Sequence, residues 1–419
     1  MSVPSLWRQV DFVKLWTGQT VSQLGSVVTR TALPLVALLV LKAGPVELSF
    51  LVVARSSAVL IVGLVAGAWV DRLRRRPVLI WTDLLRALLL FSVPIAYALG
   101  TLSMGLLYVV SFLVAALGTL FNSAYSAYLP TLVGAERVME GNSKIATSEA
   151  IAEVGGPGFA GALVQIVSAP FTILVDAVSF VVSALSLALI GTPEPARPPK
   201  TERVGVFREI AEGIAAVRRH ALLFPLAASS VNDHFFGSFY AALYSLYLLN
   251  DLGLSPFLLG VVISAGGVGS LVGSLFATRM SRRLGVGPAL VACAAASTVI
   301  GVLTPLAGGP LILATLMVFI PQLVGDAFQT IEWISHDTVR QTVTPDRVLG
   351  RVSATIEVLS HGVGPFGALV AAAIAEMFGV RTAIAVAWVG GALSVAILFF
   401  SPLPKLSSLV EWTPSERSA

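Results

Sequence analysis

About twelve apolar runs follow one another along this chain, each long enough to cross a lipid bilayer and each bounded by Gly, Pro or charged residues. They lie near 14–41, 47–70, 78–99, 103–130, 142–167 and 170–190, then 221–249, 256–279, 287–307, 310–338, 350–376 and 380–402. A hydrocarbon core of about 30 Å takes roughly 20 apolar residues as a helix, and only helices or closed barrels satisfy their backbone there. Hydrophobic residues make up 56% of the 419 and charged residues 12%, with a mean hydropathy of +0.87. Soluble domains hold about 45–50% apolar and 25% charged residues. The fold class expected is therefore an all-α membrane protein of twelve transmembrane helices. The start MSVPSLWRQVDF has no short apolar core followed by a small-residue cleavage site, so the first run reads as a retained span. The lone cysteine, Cys293, excludes a disulfide within the chain.

Basic residues set the orientation. Every second connection is rich in arginine: Arg72 and Arg74 to Arg76, Arg137, Arg197 to Arg219, Arg279 with Arg282 and Arg283, then Arg340 and Arg347. The alternate connections hold Lys42 and Arg381 at most. Both termini are expected in the cytoplasm, and the formal charge of +4 reads as a topology signal with no nucleic-acid partner. Residues 1–191 and 221–403 form two six-helix halves. Residues 192–220 join them as a Pro-rich linker with an amphipathic helix in VFREIAEGIAAVRRH, and 404–419 form a cytoplasmic tail. The halves repeat at an offset close to 208 residues: RLRRRP (72–77) answers RMSRRLG (279–285), and AERVMEGNSKIATSEAIAEVGGPG (135–158) answers PDRVLGRVSATIEVLSHGVGPF (345–366). Duplicated hydrophobic helices of this kind point to a transporter with its site between repeats.

GAWVDRLRRRP (67–77) is similar to the G-x-x-x-D-R-x-x-R-R loop of the major facilitator superfamily, and the resemblance runs the length of the chain. It implies that Gly67, Asp71, Arg72, Arg75 and Arg76 form a cytoplasmic latch. Thr278 replaces the aspartate in the second half, which implies a weaker second latch. VDFVKLWTGQTVSQLGS (10–26), FNSAYSAYLPTLV (121–133) and LVDAVSFVVSALSL (174–187) resemble the bacterial twelve-span drug exporters that include macrolide-efflux and enterobactin-export proteins. VGGPGFAGAL (154–163) resembles the antiporter signature of span five. The resemblance implies export, at a bacterial cytoplasmic membrane. Two positions depart from it. Val114 stands where many proton-coupled exporters carry a span-four arginine, and Gly25 near where some carry a span-one acid. Any proton coupling must use other groups.

Charges inside spans cost about 2.5–3.5 kcal/mol each on insertion scales, so they mark a pathway or a pair. Arg30, Asp233 and Asp326 fall at mid-depth, and Arg30 is offered a partner in Asp233 or Asp326. His234, Asn232, Gln329, Glu332, Tyr125, Tyr240 and Tyr244 stand near them in sequence and supply a carboxylate, amide and aromatic wall. Such a wall suits amphipathic molecules, cations especially. In EAIAEVGGPGFAG, Glu149 and Glu153 precede Gly155, Gly156, Pro157 and Gly161. The repeat sets them against Glu357, His361, Gly364 and Pro365. The glycines and prolines read as hinge and packing, and Glu153 as a proton carrier. Asp83 and Arg86 can pair on one helix face, while Asp176 has no partner evident from sequence. With no phosphate-binding loop, no paired histidines at metal-ligand spacing and no catalytic grouping, the chain reads as no enzyme, without cofactor or metal. The expectation is a monomeric antiporter of small molecules and protons in the bilayer. A dedicated siderophore, peptide or metabolite exporter and a lipid translocase are the alternatives.

Overall fold

The computed structural model describes residues 5–70, 73–194 and 214–406, and among them there are helices and connections but no strand. Asp71, Arg72, residues 195–213 of the linker and 407–419 of the tail lie outside the described residues, as does the side-chain environment of Gly67. Of the amphipathic linker helix, only 214–219 is described, and it is helical.

Eleven described helices are long and apolar enough to cross a membrane. They are α1 (Val10–Leu39), α2 (Pro45–Val70), α3 (Arg75–Ala98), α4 (Met104–Val133), α5 (Val138–Val167) and α6 (Ala169–Ala188) in the first half. The second half follows α7 (Leu223–Leu246) with α8 (Pro256–Leu284), α9 (Val286–Leu306), α10 (Leu311–Val343), α11 (Asp346–Phe378) and α12 (Val380–Phe399). The twelfth helix is α7. It has 24 residues, and Asn232, Asp233 and His234 at its middle lower its apolarity. Several helices outrun the apolar runs that announced them. α10 continues to Val343 through the polar stretch DAFQTIEWISHDTVRQTV, because it holds no proline or glycine to break the helix.

The chain divides into two compact units, Met1–Thr201 with Ser255–Ser264, and Glu202–Leu254 with Ala265–Ala419. The first therefore takes the first residues of α8. Its inner core joins Phe12, Leu15, Leu79, Phe121, Tyr128 and Leu187. The second unit is centred on Leu222, Leu226, Leu290, Val339, Val352 and Leu398. Within the second unit α10 is interrupted by a π-turn at Pro321–Gly325, where proline withdraws a backbone donor from the ladder. The single-residue joints α5–α6 and α11–α12 share one backbone conformation: Ser168 at φ 80°, ψ 158° and Gly379 at φ 89°, ψ 156°. Only glycine occupies that region without strain.

Candidate functional site

In the first unit the acids of α5 are bound by α1. Glu149, Glu153 and Gly156 follow at helical spacing and share one face. Gln23 Nε2 donates to Glu149 Oε1 at 3.1 Å, and Arg30 forms an ion pair with Glu153. Both members of that pair are nearly half exposed (43% and 49%), which leaves them open to an aqueous path or a ligand. Gly156 makes the pairing possible. A Cβ there would overlap the Val27 side chain, so α5 approaches α1 at a point where only glycine fits. The expected pairing of Arg30 with Asp233 or Asp326 is thereby corrected: the partner is Glu153, on a helix packed directly against α1.

Pro157 sits inside an unbroken helix and withdraws the N–H that would bind the Glu153 carbonyl. One residue on, Gly158 N donates to Ser264 Oγ at 2.9 Å. A Cβ on Gly161 would run into the Pro256 carbonyl, and one on Gly260 into that of Pro157. Gly156, Pro157 and Gly161 are thus packing positions, whereas Gly155 is exposed and a Cβ there meets nothing within 4 Å among the described residues. Packing as the role of Gly155 is corrected accordingly.

Arg75 and Arg76 bond α4 and α6 of their own half. Arg75 Nη1 donates to Ala127 O at 3.0 Å and to Thr131 Oγ1 at 3.1 Å, and Arg75 N to Glu194 Oε1 at 2.8 Å. Arg76 Nε donates to Leu187 O at 2.9 Å, and its Nη2 to Ala188 O. Arg76 meets carbonyls at the end of α6, where the helix dipole is negative, while Arg75 ties α3 to the inside of α4. The Tyr125 ring stacks on Phe121 with centroids 6.1 Å apart, and its hydroxyl is buried without a hydrogen-bond partner among the described residues.

In the second unit, Asp233 Oδ1 accepts from Ser394 Oγ at 2.5 Å, and Asn232 Nδ2 donates to Gly390 O and to Ser394 Oγ, each at 2.7 Å. α7 and α12 are joined by this amide–hydroxyl–carboxylate set. The rings of His234 and His361 meet with centroids 4.8 Å apart. Each Nδ1 bonds its own helix, to Ser230 O (2.9 Å) and Glu357 O (3.0 Å), which leaves both Nε2 atoms outward. Glu357 itself is exposed. Asp326 begins the segment after the π-turn, and its carboxylate with Gln322 covers Gly266, where a Cβ would strike both. Gln329 is exposed and Glu332 half-buried. The Tyr240 and Tyr244 rings lie 6.1 Å apart, the Tyr244 hydroxyl being buried and unpartnered among the described residues. A Cβ on Gly364 meets nothing within 4 Å among the described residues, so close packing at this point of α11 belongs to Gly367, against Phe235 and Ser238. Pro365 lies inside the unbroken α11. The 208-residue offset aligned chemistry, and the contact falls one turn later.

Residues of low standing in the sequence turn out central to the first unit. Asp83 is fully buried in its ion pair with Arg86, whose guanidinium lies 4.6 Å from the Phe121 centroid and 4.2 Å from that of Phe180. Asp176, 1% exposed, accepts from Ser179 Oγ at 3.1 Å and from Ser26 Oγ at 3.5 Å. The D-x-x-R spacing signalled the first pair; the surroundings of Asp176 had no signal in sequence.

Twelve long helices among the described residues, with charges paired inside their spans and a repeated half, define a membrane transporter. The family model of the Major Facilitator Superfamily matches residues 15–356, and the chain belongs to that superfamily. It is 29% identical over 381 residues to the multidrug efflux pump Tap of Mycolicibacterium fortuitum, covering 87% of this chain and 88% of that one. It is 24% identical over 275 residues to macrolide efflux protein A of Streptococcus pyogenes (64% of this chain, 66% of that one). Among solved structures, a bacterial homologue of the iron transporter ferroportin superposes with a TM-score of 0.74 at 18% identity, covering 97% of this chain and 100% of that one. The nucleoside transporter NupG gives 0.71 at 13% (96% and 100%). The structural likenesses carry the fold.

Proposed function

We propose that this transporter exports small amphipathic organic molecules, cations among them, across a bacterial cytoplasmic membrane in exchange for protons. The likeness to two efflux proteins supports export of drug-like molecules. Arginines on alternate connections support cytoplasmic termini. The observation that carries the coupling is the half-exposed Arg30–Glu153 pair between α1 and α5. A proton on Glu153 discharges its carboxylate and releases Arg30; loss of that proton restores the pair. One protonation thereby biases which arrangement of α1 and α5 is stable, and alternating access of two six-helix halves turns that bias into transport. The acids Asp233, Asp326 and Glu332, with Tyr240 and Tyr244, offer an organic cation charge and aromatic faces. The protein acts as a monomer in this reading, with Asp71, Arg72, Arg75 and Arg76 as the latch.

Proteoliposomes loaded at one pH and diluted into another test the coupling, with ethidium as the transported cation. Wild type accumulates dye in response to the gradient and Glu153→Gln does not. Full gradient-driven accumulation by Glu153→Gln returns that residue to a structural role.

A further inference from the structure

A second set of charges lies away from the exposed pair, inside the first unit. Asp83 and Arg86 come from α3 and Asp176 from α6, and all three are buried: 0%, 7% and 1% exposed. The two helices run antiparallel, since Arg76 at the start of α3 bonds carbonyls at the end of α6. At 1.5 Å per residue, Asp83 stands about 12 Å along α3 from Arg75, and Asp176 about 10 Å along α6 from its opposite end. Arg86 lies between them in depth and within electrostatic reach of both carboxylates.

Two carboxylates and one guanidinium sum to a net charge of −1 if both acids are ionised. Among the described residues, no other charged group faces Arg86. The elements packed around the set add only neutral groups: Gln19, Ser26 and Thr29 from α1, Ser179, Phe180 and Ser183 from α6, and Phe121 from α4. An uncompensated charge in such surroundings costs several kcal/mol, and one proton removes it. Asp83 has one oxygen turned away from Arg86, and the Ser183 hydroxyl stands beside the carboxyl. That oxygen, Asp83 Oδ2, is buried, while Asp83 Oδ1 is committed to Arg86.

We propose that Asp83, Arg86 and Asp176 form a proton-binding site that holds one proton, separate from the Arg30–Glu153 face. With Arg86 on Asp83, the proton resides on Asp176 among the serine hydroxyls. When the guanidinium swings toward Asp176, sliding between the Phe121 and Phe180 rings, the proton leaves Asp176 and a proton is taken up at Asp83 Oδ2. The count stays at one, and the proton moves between inner and outer depth. One glycine makes room for this: a Cβ on Gly25 would press on Asp176 Oδ1 and Ser179. The charge absent from α1 at Gly25 is thus brought to the neighbouring space by Asp176 of α6. The use of this proton in transport rests on the antiport reading above; its presence does not.

Infrared difference spectroscopy on the full chain in lipid nanodiscs, titrated from neutral to alkaline pH, reads a buried protonated carboxyl directly through its C=O band. Wild type shows the band, and Asp176→Asn and Asp83→Asn both lack it, because Arg86 then balances the one carboxylate that remains. A folded Asp176→Asn protein with the wild-type band overturns the proposal, as does a wild type with no such band. If Asp176→Asn does not fold, Asp83→Asn decides: a folded Asp83→Asn protein with the wild-type band overturns the proposal. Gradient-driven ethidium accumulation in proteoliposomes is measured alongside. A wild type that holds the band yet ignores the pH gradient contradicts antiport and leaves the proton site standing.

Discussion

The two halves repeat one plan but handle charge inside the membrane differently. In the first, Glu153 meets Arg30 and Asp83 meets Arg86, while Glu149 and Asp176 bond neutral groups. In the second, Asp337 near the end of α10 pairs with Arg340, but Asp233 has only a serine hydroxyl, and the Asp326 and Glu332 side chains make no ion pair among the described residues. The first half therefore holds internal pairs whose breaking and remaking can drive a cycle, while the second presents acids without cations, which suits the reception of a cationic molecule. Pseudo-symmetry of helices has not carried symmetry of chemistry. Glu153 answers His361 in sequence, yet the first binds an arginine and the second packs on His234.

The largest effect on stability is expected at the buried pair. Arg86→Leu leaves two carboxylates without their cation, and removing one partner of a buried pair costs about 3–5 kcal/mol. Thermal unfolding in detergent checks it, and an unshifted melting temperature would show that the acids are already neutral. The same change at the half-exposed pair, Arg30→Leu, moves the melting temperature far less but abolishes gradient-driven export.

Next come the close approaches of helices. Gly156→Val in the first half and Gly367→Val in the second push side chains into Val27 and into the Phe235 backbone, an overpacking worth about 1–3 kcal/mol. Gly155→Ala and Gly364→Ala enter open space and leave the melting temperature within the error of measurement. If all four behave alike, the glycines act through helix propensity and not through contact.

Asp326→Asn sharpens the contrast in function. Efflux of the cation ethidium falls several-fold while that of a neutral macrolide is kept; equal losses would place Asp326 in the coupling step and not in recognition. The smallest effect lies at the joints. Ser168→Gly relieves the backbone that Gly379 already adopts without strain and stabilises the protein by about 1 kcal/mol. Thermal unfolding reads this too.

Much of the fold was legible because bilayer length and apolar composition leave little choice. Span count, the two halves and the D-x-x-R pair of α3 all follow from local pattern. Long-range partners were not legible. Arg30 and Glu153 lie 123 residues apart, and the choice of Glu153 over Asp233 or Asp326 depends on Gly156 letting α5 approach α1. Asp176 looked solitary because its companions, Ser26, Ser179 and Arg86, come from three helices. Arg75 and Arg76 read as loop charges by sequence, and only the fold shows the carbonyls of α4 and α6 that they bond. α7 appeared as an ordinary span, although its central Asn-Asp-His gives it the polar interior that the second half uses.

The central claim is that the Arg30–Glu153 pair converts a proton gradient into export. Ethidium accumulation in proteoliposomes, measured for wild type, Glu153→Gln and Glu153→Asp under an imposed pH gradient, tests it most directly. Gradient-dependent accumulation should be present in wild type, lost in Glu153→Gln and partly restored in Glu153→Asp, with all three proteins equally folded. Accumulation by Glu153→Gln at the wild-type level would contradict the account.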